Sequence, residues 1–69
     1  MSAEEEEIRK IYNDVILSVD ALNKKKAVNT LGTYGKKAVP LIQELYDMEI
    51  DEGVKNYMLE TITQINKSS

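Results

Sequence analysis

Apolar positions recur along this chain with the 3.6-residue period of an α-helix, in four separate stretches. In the first, Ile8, Ile11, Tyr12, Val15, Ile16 and Val19 form one stripe, which predicts a helix over about residues 4–19. Four consecutive acids, Glu4 to Glu7, precede the stripe and suit a helix N-terminus, where the backbone dipole favours negative charge. The polar break Asp20-Ala21-Leu22-Asn23 follows. From Lys24 to Tyr34, the residues Ala27, Val28, Leu31 and Tyr34 share one face, and Gly35 stands where a left-handed residue commonly ends a helix. The third stripe is Ala38, Leu41, Ile42, Leu45 and Tyr46. Pro40 is compatible with it, because the first N–H groups of a helix have no helical acceptor to lose. Asp51 is a good N-cap for a fourth helix, striped by Val54, Tyr57, Met58, Thr61, Ile62 and Ile65. Sustained alternation of the strand kind is absent, so the chain reads as all-α.

Short connections predict that consecutive helices pack antiparallel. The two halves also resemble each other. A shift of 30 residues carries Ile11, Tyr12, Val15 and Ile16 onto Leu41, Ile42, Leu45 and Tyr46. A shift of 31 carries Val28, Leu31 and Tyr34 onto Leu59, Ile62 and Ile65. The expected organisation is a single four-helix domain over residues 8–66, made of two stacked helical hairpins at about 8–35 and 38–66. Residues 1–7 form an acidic segment leading into the first helix, and residues 67–69 a C-terminal tail.

The run Ala27-Val28-Asn29-Thr30-Leu31-Gly32-Thr33-Tyr34-Gly35, followed by Lys36-Lys37-Ala38-Val39-Pro40 and the helix to Asp47, resembles the short HEAT-like repeats of the bilin-lyase type. In those repeats one helix closes on Leu-Gly-x-x-Gly, the next opens Ala-Val-Pro, and a helix with an early Val follows, as Val54 does here. The central half of the chain carries the likeness. The first helix fits by apolar spacing alone, and the fourth has Met58, Leu59 and Thr63 in place of the small residues and glycines. The resemblance implies a right-handed stack of helical hairpins used as a binding scaffold. It carries no lyase chemistry, since the motif is architectural.

Composition narrows the function. With 69 residues, no cysteine and no histidine, the chain has neither disulfides nor the usual zinc ligands to reinforce a small core. Thiol nucleophiles, Ser–His relays and His-based metal sites are excluded for the same reason, and the expectation is a non-enzymatic protein without cofactor or metal. No apolar run is long enough to span a bilayer, and the first residues are acidic where a secretory signal is basic and then apolar, so the expected setting is cytoplasmic.

The net charge of −3 hides a pattern. Residues 1–20 carry a net −4, residues 21–43 carry +5 with no acid, and residues 44–69 carry −4. The central lysines, Lys24, Lys25, Lys26, Lys36 and Lys37, are candidates for contact with an anion or nucleic acid. Gly32-Thr33-Tyr34-Gly35-Lys36-Lys37 lacks the spacing and the preceding strand of a P-loop. Its Gly-x-x-Gly turn also occurs in KH domains, but those need a sheet that this pattern does not supply. Asp47-Met48-Glu49-Ile50-Asp51 has the spacing that begins a calcium loop, yet Gly53 falls one place late and Met58 occupies the position of the closing Glu. An acidic turn capping the fourth helix accounts for these residues.

Apolar residues off the stripes are the remaining signal: Leu17, Leu22, Val39, Ile50 and Leu59. Several converging would make a patch that needs a partner. Two such repeats fall short of the usual array, and a homodimer would cover an open end. The expected function is therefore protein–protein interaction as an adaptor that self-associates. A nucleic-acid or ribonucleoprotein-binding module using the five lysines is the alternative.

Overall fold

The computed structural model describes residues 2–68. It contains four α-helices: α1 at Ala3–Leu17, α2 at Ala21–Gly32, α3 at Val39–Met48 and α4 at Glu52–Lys67. A 3₁₀ turn, Gly35–Ala38, joins α2 to α3. There is no β-strand among the described residues.

Each long helix starts on a side-chain cap, which satisfies an N–H that the helix itself cannot. Ser2 Oγ accepts from the Glu5 N–H at 3.2 Å, Asp20 Oδ1 from Leu22 at 3.4 Å and Asp51 Oδ1 from Val54 at 3.0 Å. Glu4, Glu5 and Glu6 fill the first turn of α1. The four acids of the N-terminal segment thus lie within that helix, and Lys67 is the last residue of α4. Pro40 sits in the first turn of α3, the position where its missing N–H costs nothing.

Two boundaries differ from expectation. The first helix stops at Leu17, where the Ser18 N–H and hydroxyl both donate to the Asp14 carbonyl. The residues read as a polar break instead open α2, with Asp20 as its cap. Val19, assigned to the first stripe, consequently lies outside any helix and is 98% exposed.

The core is built from Ile8, Val15, Val28, Leu31, Ala38, Ile42, Leu45, Val54, Met58 and Ile62, with no buried polar or charged residue among those described. α1 packs chiefly on α2, and α2 and α3 both pack on α4. The molecule measures 31 × 27 × 17 Å, and since a helix with its side chains is about 10 Å across, it is about two helices thick.

Two glycines are fixed by different constraints. Gly35 has φ +74°, a conformation that L side chains rarely adopt, and there is open space around it. Gly32 is held by contact instead: a Cβ there would lie 2.8 Å from Thr61 Cγ2 on α4. Thr61 cannot easily turn away, because its hydroxyl donates to the Tyr57 carbonyl at 2.8 Å. Gly32→Ala would gain about 1 kcal/mol of helix propensity. It would lose about 1–3 kcal/mol to overpacking.

We expect Gly32→Ala to lower the denaturant midpoint and Gly32→Ala with Thr61→Ser, which lacks the Cγ2 methyl, to restore or exceed it; a single variant as stable as the parent would show that the α2–α4 contact yields freely. Leu31, fully buried, is the more severe test. Truncation to Ala costs about 2–5 kcal/mol, against about 3–10 kcal/mol in total for a chain of 69 residues. Thermal unfolding followed by circular dichroism should show Leu31→Ala largely unfolded near 37 °C or with a greatly lowered Tm.

Candidate functional site

The five lysines do not form one face. Lys24, in the first turn of α2, reaches Glu49 beyond the end of α3, with its Nζ 3.1 Å from both carboxylate oxygens. The Glu49 side chain is only 5% exposed and also accepts from the Asp51 N–H at 3.1 Å. Lys25 is half-buried, its Nζ 3.8 Å from where a Cβ on Gly53 would stand. Lys26 is exposed. Lys37, beyond the other end of α2, pairs with Glu4 in the first turn of α1, and Lys36 borders a groove nearby. The twelve residues of α2 span about 18 Å, which keeps the two clusters apart.

That groove lies between the C-terminal halves of α2 and α4 and has a volume of about 550 Å³. Asn29 and Lys36 stand along one side, Tyr57, Glu60 and Gln64 along the other, and Gly32 lies against Thr61 at their junction. It is open to solvent and holds no buried ionisable group. Among the described residues no three His, Cys, Asp or Glu are grouped to hold a metal ion. The segment with calcium-loop spacing is divided between α3 and α4, with Asp51 and Glu49 occupied as cap and ion-pair partner. No helix of the described residues is long and apolar enough to cross a membrane.

The apolar candidates separate into three locations. Val39 opens α3, is half-buried and packs against the core, so it is no part of an exposed patch. Its place in the first turn beside the buried Ala38 turns it inward. Leu59 is exposed on α4, more than a full turn beyond its start. Leu17, Leu22 and Ile50 lie at one end of the bundle, where the Lys24–Glu49 pair draws the α1–α2 and α3–α4 links together. Leu17 is 78% exposed, Ile50 is 91% exposed, and Leu22 is more than half exposed.

Two further side chains join them there. Val19 was assigned to the core by its spacing, and Met48, one residue short of the Glu49 cap, was not singled out. For Val19 the signal was available in the Asp20 cap, because an apolar residue just before a helix start lies in a link and has no helical face to bury. Met48 is the last residue of α3 and lies off the Leu41, Ile42, Leu45 and Tyr46 stripe. Five of the seven large apolar side chains exposed among the described residues thus share this end; Ile16 and Leu59 are the others.

Compared with known proteins, the chain matches no family model, no curated protein and no solved structure.

The two ion pairs make contrasting predictions. Lys24→Met leaves the Glu49 carboxylate nearly buried without its counter-charge and should cost about 3 kcal/mol in urea unfolding. Lys24→Met with Glu49→Met, which removes both charges, should recover most of that loss. The exposed Lys37 has its pKa raised above 10.5, first by its hydrogen bond to Glu4 and then by the charge of that carboxylate. A raised pKa means the contribution is present below the ordinary lysine range and fades as pH climbs through the raised value. Lys37→Met should therefore leave stability at pH 7 almost unchanged and flatten its decline above pH 10.

Proposed function

We propose that this chain is a non-enzymatic protein–protein interaction module, and that its docking surface is the apolar end formed by the α1–α2 and α3–α4 links. The observation that carries this reading is the gathering of Leu17, Val19, Leu22, Met48 and Ile50 at that end, all more than half exposed. Large apolar side chains scattered singly are ordinary on a surface, whereas several in one place mark a contact. Every described carboxylate except that of Glu49 belongs to an exposed residue, and Glu49 is held by Lys24. We read the setting as cytoplasmic, with which a cysteine-free chain is compatible.

For the architecture we propose two stacked hairpins of the HEAT-like kind, with successive helices reversed in direction. The ion pairs support it: Lys24–Glu49 sets the start of α2 beside the end of α3, and Glu4–Lys37 sets the start of α1 beside the start of α3. The positions that carry the resemblance include the left-handed Gly35, the close-packed Gly32 and the buried Ala38 and Val54, which supports the reading. The nucleic-acid alternative draws less support, because Lys24 and Lys37 are engaged by carboxylates and the clusters stand at opposite ends of α2.

A second copy of the chain is the simplest occupant of the apolar end, in a two-fold pairing. Such a pairing sets like charges together, so we propose that self-association is weak and is strengthened by salt. Light scattering over a wide concentration range should show a monomer at low ionic strength and a growing dimer fraction near 1 M salt, where the screening length falls to about 3 Å. Leu17→Glu should abolish the dimer and Leu59→Glu should leave it. A chain that stays monomeric in high salt would remove the apolar end as a self-association surface, and a dimer insensitive to Leu17→Glu would place the interface elsewhere.

A further inference from the structure

We propose that the apolar end docks a cationic amphipathic segment of another protein, one that offers leucine-like side chains on one face and lysine or arginine beside them. This rests on the interaction reading above and specifies the chemistry of the partner. Two separate features of the surface lead to it. The first is the set of five exposed apolar side chains already described. The second is charge: residues 14–23 and 46–53, which make up this end, contain six carboxylates and not one basic side chain.

The neighbouring turn of α2 brings in Lys24 and Lys25, and Lys55 of α4 lies over the Tyr46 ring. Lys24 is bound to Glu49, so five carboxylates stand against two further lysines and the end keeps a net negative charge. Asp14, Asp20, Asp47, Asp51 and Glu52 remain, all on exposed residues. Asp20 and Asp51 accept hydrogen bonds as helix caps, and that use holds their carboxylates in place beside Val19, Leu22 and Ile50 without cancelling their charge. An apolar surface framed by fixed negative charge selects a partner whose apolar face is framed by positive charge, and it repels nucleic acid and anionic lipid. A second copy of the same end presents the same acids, so charge complementarity favours a different chain over self-pairing.

Three short synthetic peptides separate the parts of this proposal: an amphipathic helix of leucine and lysine, the same peptide with glutamate for lysine, and the same peptide with serine for leucine. Each is titrated into the full chain, with binding followed by fluorescence anisotropy and the contact located by NMR amide shifts. The leucine–lysine peptide should bind and shift amides in residues 16–22 and 47–53, with affinity falling as salt rises. The other two should bind at least about tenfold more weakly. Ile50→Ser and Leu17→Ser should each reduce affinity several-fold, and Asp47→Asn with Glu52→Gln should flatten the salt dependence. All four positions are exposed, and circular dichroism checks that each variant is folded before its binding is read.

Equal binding of the lysine and glutamate peptides at this end would overturn the cationic partner while leaving the docking surface intact. Absence of binding by either leucine-bearing peptide, or shifts confined to the α2–α4 groove, would overturn both.

Discussion

The packing of Val28 and Leu31 from α2, Ile42 from α3 and Val54 and Met58 from α4 is the constraint on which the molecule depends. With no disulfide and no buried polar residue among those described, this apolar block is the main hold of the three helices on one another. Apolar burial is non-directional, so it drives the helices together without fixing how they slide or turn. The register comes from smaller contacts around that block. Gly32 allows α2 to approach Thr61 on α4 more closely than any larger residue would, and Lys55 lies over the Tyr46 ring, 4.7 Å from its centre, tying α4 to α3.

The charge pattern along the chain takes on a different meaning once folded. A basic middle between two acidic flanks looks in sequence like a surface for an external polyanion. In the fold, each flank reaches back to the middle: Glu4 from the first takes Lys37, and Glu49 from the last takes Lys24. The two pairs sit at opposite ends of α2 and act as ties between helices. The pairing leaves Lys26 on α2 and Lys36 beyond its end exposed, and a net negative charge at the apolar end. The charge beside the exposed apolar side chains is thus opposite in sign to the most conspicuous run in the sequence.

Helix content was legible because periodicity reports a buried face directly, and Val28, Leu31, Ile42, Leu45, Val54, Met58 and Ile62 all fall where their stripes place them. The end of α1 was not legible from spacing. Ile16 and Val19 continue the stripe, yet a stripe cannot show that Ser18 closes the helix on the Asp14 carbonyl and turns Val19 out. Nor can spacing show which off-stripe residues meet. Leu17, Leu22 and Ile50 are 33 positions apart at the extremes, and they share an end because helix packing sets the start of α2 beside the end of α3, where Lys24 meets Glu49. Val39 looked equivalent to them in sequence and packs against the core instead.

The Glu4–Lys37 pair also settles how the molecule can be held. It sets the beginning of α1 beside the link that follows α2, and Ser68 borders the same groove as Lys36 from that link. Residues 2 and 68 therefore both lie near the α2–α3 link, away from Leu17, Val19 and Ile50. A molecule held to a bead, a carrier domain or a lattice at residue 2 or residue 68 would stand with its apolar, acidic end outward. The fold has a foot and a head, and attachment at the foot leaves the head free.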